Sequence, residues 1–256
     1  MPQEKITGAR AIIQACERHG VEYIFGYPGG NVIPIFDALY DSPIKLILSR
    51  HEQGATHMAD GYARASGKAG VVLVTSGPAA TNAITGILTA HMDSVPMVVI
   101  TGQTVTVNLG LDAFQEADVF GISFPVVKHS YMIKDPQDIP GVMREAFYLA
   151  ESGRPGPVLI DVPKDMSAAL FTPGKEPEMN LPGYAIPEAI DKEAVERVAA
   201  ALRAAKRPLL LVGQGALISG ADETVRKFAE KVQAPVVTTL LGKGAFPETH
   251  DLALGM

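Results

Sequence analysis

The chain has a single cysteine, Cys16, set in an apolar helical pattern, so no disulfide can form within it and a reducing, cytoplasmic setting is expected. No apolar run reaches the roughly 20 residues of a membrane helix. The opening MPQEKITGARAIIQ also lacks the basic-then-apolar order of a secretory signal, so no membrane partner is expected. Basic clusters are missing as well. The 22 Lys and Arg face 28 Asp and Glu, a net charge of -6, which argues against a nucleic-acid partner. Several catalytic signatures are absent too. HEQGATH is not a zinc-protease HExxH, because His51 and His57 lie six positions apart rather than the four that share a helical face. There is no P-loop lysine and no GxSxG elbow.

What is present is a soluble globular composition, 47% hydrophobic and 20% charged, in 256 residues, enough for one complete domain and part of another. Thr7 can cap a helix to about Arg18, with Ala11, Ile12, Ala15 and Cys16 on one face and Gly20 as its stop. The strand EYIFG follows, then the loop GYPGGN (Gly26 to Asn31), whose glycines let backbone approach a ligand closely, then a helix over Val32 to Tyr40. LILS, GVVLVT, MVVIT and PVLIDV alternate with helices, one of them from about Thr81 to His91. Near-continuous apolar strands of this kind predict an α/β fold with a parallel sheet covered on both faces.

The organising stretch is SRHEQGATHMADGYARASG, Ser49 to Gly67, which puts Glu52 in a strand-to-helix turn at the carboxyl edge of that sheet, where α/β proteins bind ligands. Taken alone, the turn fits equally well a solvated glutamate in a first helical turn. Residues 103–121, QTVTVNLGLDAFQEADVFG, form the longest aperiodic stretch and a candidate functional loop. The first domain is expected over 1–165 and a Pro- and Gly-rich linker over 166–187. Residues 188–256 open a second α/β unit: a helix from about Asp191 to Ala205, the strand PLLLVG, a helix from Glu223 to Val232 and the strand PVVTTL. Two strands are too few to be stable alone, so a longer polypeptide is expected.

The runs FGYPGGN, RHEQGATHMADGYARASGKAGVVLVTSGPAATNAITGI, DAFQEADVFGIS and SGRPGPVLIDVPKDM, in this order, resemble the pyrimidine-binding domain of the acetolactate (acetohydroxyacid) synthases, which are thiamin-diphosphate enzymes. The resemblance implies that Glu52 hydrogen-bonds N1′ of the cofactor pyrimidine. A carboxyl suits this role because sharing a proton with N1′ favours the imino tautomer, whose exocyclic nitrogen can take the thiazolium C2 proton. It implies further that Pro78 and Asn82 approach the pyrimidine and that Gly29 and Gly30 crowd the reacting carbon. Phe114 and Gln115 would reach the active centre from the long loop, and Lys164 would line the substrate channel. Phe114 as core and Lys164 as a solvated cation are the plain alternatives.

Bound FAD is implied by the same resemblance, at Arg154, Gly213, Gly215, Thr239, Leu240, Leu254, Gly255 and Met256. VGQGALISG reads as strand, glycines and helix, able to seat a diphosphate, although Ile218 holds the third glycine position of GxGxxG. Mg²⁺ is expected in a domain absent from this chain, since no GDG stretch occurs. Pyruvate, a second 2-oxo acid, a homodimer partner and a small regulatory subunit are the implied partners. Two departures stand out: Ala79 where most relatives have glycine, and Val105 where they have proline. The competing readings are a glyoxylate carboligase, which has an apolar residue where this chain has Glu52, and a non-catalytic flavin-binding or oligomerising remnant.

Overall fold

The computed structural model describes residues 4–175, 178–187 and 189–256, so Glu176 and Pro177 of the expected linker and Glu188 at the start of the second unit lie outside the described residues. Two compact units are present, 1–186 and 187–256.

The first unit runs β1 (Ile6–Thr7), α1 (Gly8–Arg18), β2 (Tyr23–Tyr27), α2 (Ile33–Tyr40), β3 (Lys45–Leu48), α3 (Glu52–Ser66), β4 (Gly70–Val74), α4 (Pro78–Met92) and β5 (Met97–Gln103). It continues α5 (Val119–Ser123), β6 (His129–Met132), α6 (Ile139–Glu151), β7 (Pro157–Pro163), α7 (Lys164–Ala168) and β8 (Leu170–Phe171). Six strands form one parallel sheet in the order β3-β2-β4-β5-β7-β6. Alternate residues supply two cores. Val71, Leu73, Val98, Ile100, Val158 and Ile160 pack with α1, α2 and α6, while Val72, Val74, Met97, Val99 and Leu159 pack with α3 and α4. Both faces being covered explains why β4, β5 and β7 are buried at every residue.

Thr7 caps α1 as expected, its side chain accepting the Arg10 N–H. Cys16 is fully buried, and burial pushes its thiol up to about 12, which leaves it protonated and inert. Where α3 meets α4 the seam is made of alanines, with Gly86 against Thr56. A Cβ on Gly86 would lie 2.5 Å from that of Thr56. Gly86→Ala is therefore expected to destabilise the protein by about 2 kcal/mol despite its better helix propensity. A urea midpoint unchanged from wild type would show that the seam can open without cost.

The 166–187 stretch differs from the expected bare linker. Met166 to Ala168 complete α7, and β8 pairs antiparallel with β1. Leu181 and Tyr184 pack against the first core. Elements this short bury too few periodic residues to show in the sequence pattern.

The second unit contains α8 (Lys192–Ala204), β9 (Leu210–Val212), α9 (Gly215–Ile218), α10 (Asp222–Val232), β10 (Val236–Thr238) and β11 (Ala253–Gly255). Its strands are parallel in the order β11-β10-β9, around Val212, Ala229, Val236, Ala245 and Phe246. The third strand corrects the expectation of two. Its sequence, Ala-Leu-Gly, carries no β-branched signal.

Candidate active site

The switch point of the first sheet lies between β2 and β4: the chain leaves β2 through α2 on one face toward β3 and leaves β4 through α4 on the other face toward β5, so the loops at their carboxyl ends diverge and open a crevice. Three turns meet there. After β3, Ser49 donates backbone N–H to the Gly26 carbonyl at 3.0 Å, and His51 caps α3 by accepting the Gln53 N–H at Nδ1 over 3.1 Å. That cap starts the helix at Glu52, where a carboxylate meets the positive end of the helix dipole. Glu52 is buried, at 9% exposure, and its Oε2 accepts from Asn82 Nδ2 of α4 at 3.0 Å. The bond fixes the side-chain rotamer and leaves Oε1 for a second partner.

The loop after β2 is tied to the end of β4. The Asn31 amide donates to Ser76 Oγ at 2.6 Å and its backbone N–H to Thr75 Oγ1 at 3.3 Å. Gly29 permits this closeness, since a Cβ there would lie 2.6 Å from that of Thr75, while Gly30 faces open space. Gly77 ends the β4 turn with φ +57 and ψ -119, a conformation that side chains resist. Pro78 then takes the first turn of α4, three residues earlier than the expected helix start at Thr81. Ala79 is helical and buried, so its methyl is accommodated without strain.

The long loop crosses this crevice. Gln115 adopts φ +57, and its backbone covers the missing side chain of Gly77, whose Cβ would lie 2.6 Å from the Gln115 carbonyl oxygen. The loop is braced from inside, for the Glu116 carboxylate accepts the backbone N–H groups of Gly110 and Ala113, and these bonds hold its carboxyl below the usual range. At its base, Thr106 N–H donates to Asp165 Oδ1 at 3.0 Å. Val105 sits at φ -62, an angle that a proline at this position would also adopt. Phe114 is 87% exposed, which rules out the core alternative for it.

The family described as thiamine pyrophosphate enzyme, N-terminal TPP binding domain, matches residues 6–122, and the thiamine pyrophosphate enzyme central domain matches 195–256. Acetolactate synthase large subunits from Lactococcus lactis and Escherichia coli (isozyme 3) are 49% and 50% identical over 99% of the chain, which covers 44% and 45% of their lengths. A probable acetolactate synthase large subunit from Methanocaldococcus jannaschii is 51% identical over 98% of the chain and 43% of its own length. The chain belongs to the acetolactate synthase family of thiamine pyrophosphate enzymes. It spans less than half the length of these relatives.

In the first unit the remaining expected residues separate. Lys164 opens α7 directly after β7, at the same carboxyl edge of the sheet as Glu52. Arg154 lies at the other end, before β7, where its Nε donates to Ser94 Oγ at 2.7 Å beside the end of α4. In the central-domain unit, Gly213, Thr239 and the pair Leu254 and Gly255 follow or occupy the carboxyl ends of β9, β10 and β11, with Gly215 and Leu240 beside them and Met256 next in the chain. The structure corrects one point there: α9 is a single four-residue turn, too short to sum a useful dipole for a diphosphate. An orphaned hydroxyl, Thr238 Oγ1, is buried at this edge. Among the described residues no acidic, His or Cys cluster could hold a metal ion, and no helix is long and apolar enough to cross a membrane. Sequence reasoning missed Gly77, Asn31 and Ser76. The Ser-Gly-Pro order, glycine before a helix-opening proline, was the available signal for Gly77.

Proposed function

We propose that the complete protein decarboxylates pyruvate and transfers the two-carbon unit to a second 2-oxo acid, giving acetolactate or acetohydroxybutyrate for branched-chain amino acid synthesis. The observation that carries this reading is the buried Glu52 at the switch-point crevice, with one carboxylate oxygen held by Asn82 and the other free. Thiamin diphosphate supplies the carbon nucleophile that simple side chains lack. Glu52 holds and returns a proton at N1′ of its pyrimidine, and Asn82 keeps that carboxylate turned toward it. Gly29 and Gly30 leave room for the reacting ring, Pro78 borders the pyrimidine, and the loop of Phe114 and Gln115 closes over it and excludes water. Lys164 offers a cation to the substrate carboxylate.

We place Mg²⁺ and the diphosphate contacts outside residues 1–256, in a neighbouring copy of a homodimer, and include a small regulatory subunit as a partner in the cytoplasm. FAD is assigned to the carboxyl edge of β9, β10 and β11, where open space in front of Gly215 and the orphaned Thr238 hydroxyl suit a polar ligand. Arg154, in the first unit, is assigned to FAD on the family resemblance alone, its planar guanidinium suiting phosphate or ring-edge contacts. Purified complete protein given thiamin diphosphate, Mg²⁺, FAD and pyruvate is expected to form acetolactate, and failure to do so with a folded dimer would overturn the reading. Arg154→Ala is expected to lower the flavin absorbance that co-purifies with the protein. Equal flavin content in mutant and wild type would remove Arg154 from that site.

A further inference from the structure

Asp161 is a carboxyl with no contact to the crevice and no exposed surface, in the middle of the otherwise apolar strand β7. Burying such a group costs several kcal/mol unless its oxygens are satisfied. Here both are. Thr101, its register partner on β5, donates through Oγ1 to Asp161 Oδ1 at 2.8 Å, and Gln103 donates through Nε2 to Oδ2 at 3.0 Å. The Gln103 amide is fully committed. Its oxygen accepts the Thr104 N–H at 2.9 Å, and its nitrogen also donates to the Ala117 carbonyl at 2.9 Å. Two amide hydrogens meet two acceptors, so the amide cannot turn over without losing bonds at both ends.

Ala117 lies two residues after Gln115, whose backbone rests on Gly77, and one before Asp118, which caps α5 by accepting the Gly121 N–H. One side-chain pair thus joins the end of β5, the middle of β7 and the descending limb of the loop that crosses the crevice. We propose that Asp161 is a positioning residue, which acts through Gln103 and the Ala117 carbonyl to hold residues 104–118 over the cofactor crevice. The proposal rests on the reading of that crevice as a thiamin-diphosphate site.

The role belongs to the acceptor oxygens and not to the charge. Burial pushes the Asp161 carboxyl up to about 7, the bonds from Thr101 and Gln103 oppose this, and the nearby Asp118 charge adds to the rise. When protonated, Oδ1 can donate a hydrogen bond to Thr101 Oγ1 while Oδ2 still accepts from Gln103, so either form can hold the amide. Asparagine can do the same, with its oxygen toward Gln103 and its nitrogen toward Thr101. Leucine fills a similar volume and offers no acceptor.

The test uses the complete protein and reads amide hydrogen exchange over 104–118 together with kcat and KM. Asp161→Leu is expected to speed exchange in that loop at least tenfold and to lower kcat/KM by a similar factor, while Asp161→Asn stays within about twofold of wild type in both. Gln103→Met, which removes the amide without altering β7, should reproduce the leucine result if Asp161→Leu does not fold. Because the folded carboxyl is raised, its contribution to stability is fully present below the ordinary carboxyl value of 3.8, declines as pH rises from there, and is gone above about 7. Asp161→Asn should therefore gain in urea midpoint over wild type across that range. Unchanged loop exchange in both Asp161→Leu and Gln103→Met would overturn the proposal, as would Asp161→Asn behaving like leucine. Loop exchange needs no turnover, so it still decides the positioning role if the protein proves to have another activity.

Discussion

Glu52→Gln lowers the turnover of the complete enzyme by about 10² to 10⁴, the usual worth of a positioned acid/base group, and leaves cofactor affinity nearly unchanged. The expectation follows from the local geometry. Asn82 donates to one oxygen of the Glu52 carboxylate, and a glutamine can still accept that bond with its own oxygen. Its nitrogen then faces N1′ as a donor, so a hydrogen bond to the pyrimidine survives while the exchangeable charge does not. The loss therefore falls on kcat. Initial rates of acetolactate formation measure it, and a mutant within about threefold of wild type would take Glu52 out of the proton path.

Gly77→Ala is expected to be strongly damaging for two independent reasons. Its φ of +57 with ψ -119 is strained for any side chain. The new methyl would also lie 2.6 to 2.9 Å from the carbonyl oxygen, carbonyl carbon and Cα of Gln115, which are backbone atoms and cannot swing aside. Strain and overlap together are expected to cost about 2–4 kcal/mol and, by lifting the loop from the crevice, at least tenfold in kcat/KM. Urea unfolding and steady-state kinetics read the two effects. If alanine leaves both unchanged, the Gln115 contact does not hold the loop in place.

The central strands were legible because both faces of the sheet are covered, which makes GVVLV, MVVIT and PVLID apolar without interruption. The short elements β1, β8, α7 and β11 were not, since their placement is decided by tertiary contact rather than by period. The start of α4 was misplaced because Pro78 reads as a breaker until its position in the first helical turn is seen.

The site divides in the same way. Glu52, Gly29 and Phe114 stand within recognisable motifs, but their supports are distant in the chain. Asn82 lies 30 positions from Glu52, Ser76 lies 45 from Asn31, and Gln103 lies 58 from Asp161. Polar pairs of this kind leave no periodic trace. A buried Asp within an apolar strand marks only one end of such a pair, and its partner is chosen by sheet register.

The central claim is that Glu52 activates thiamin diphosphate from the switch-point crevice. Its most direct test is the rate of proton-for-deuterium exchange at the cofactor C2, followed by rapid acid quench and NMR on the complete protein in D2O. Exchange on the wild-type protein is expected to be faster than on free thiamin diphosphate, and Glu52→Gln should slow it by about 10² or more. Equal exchange rates in wild type and mutant, with the cofactor bound to both, would contradict the claim.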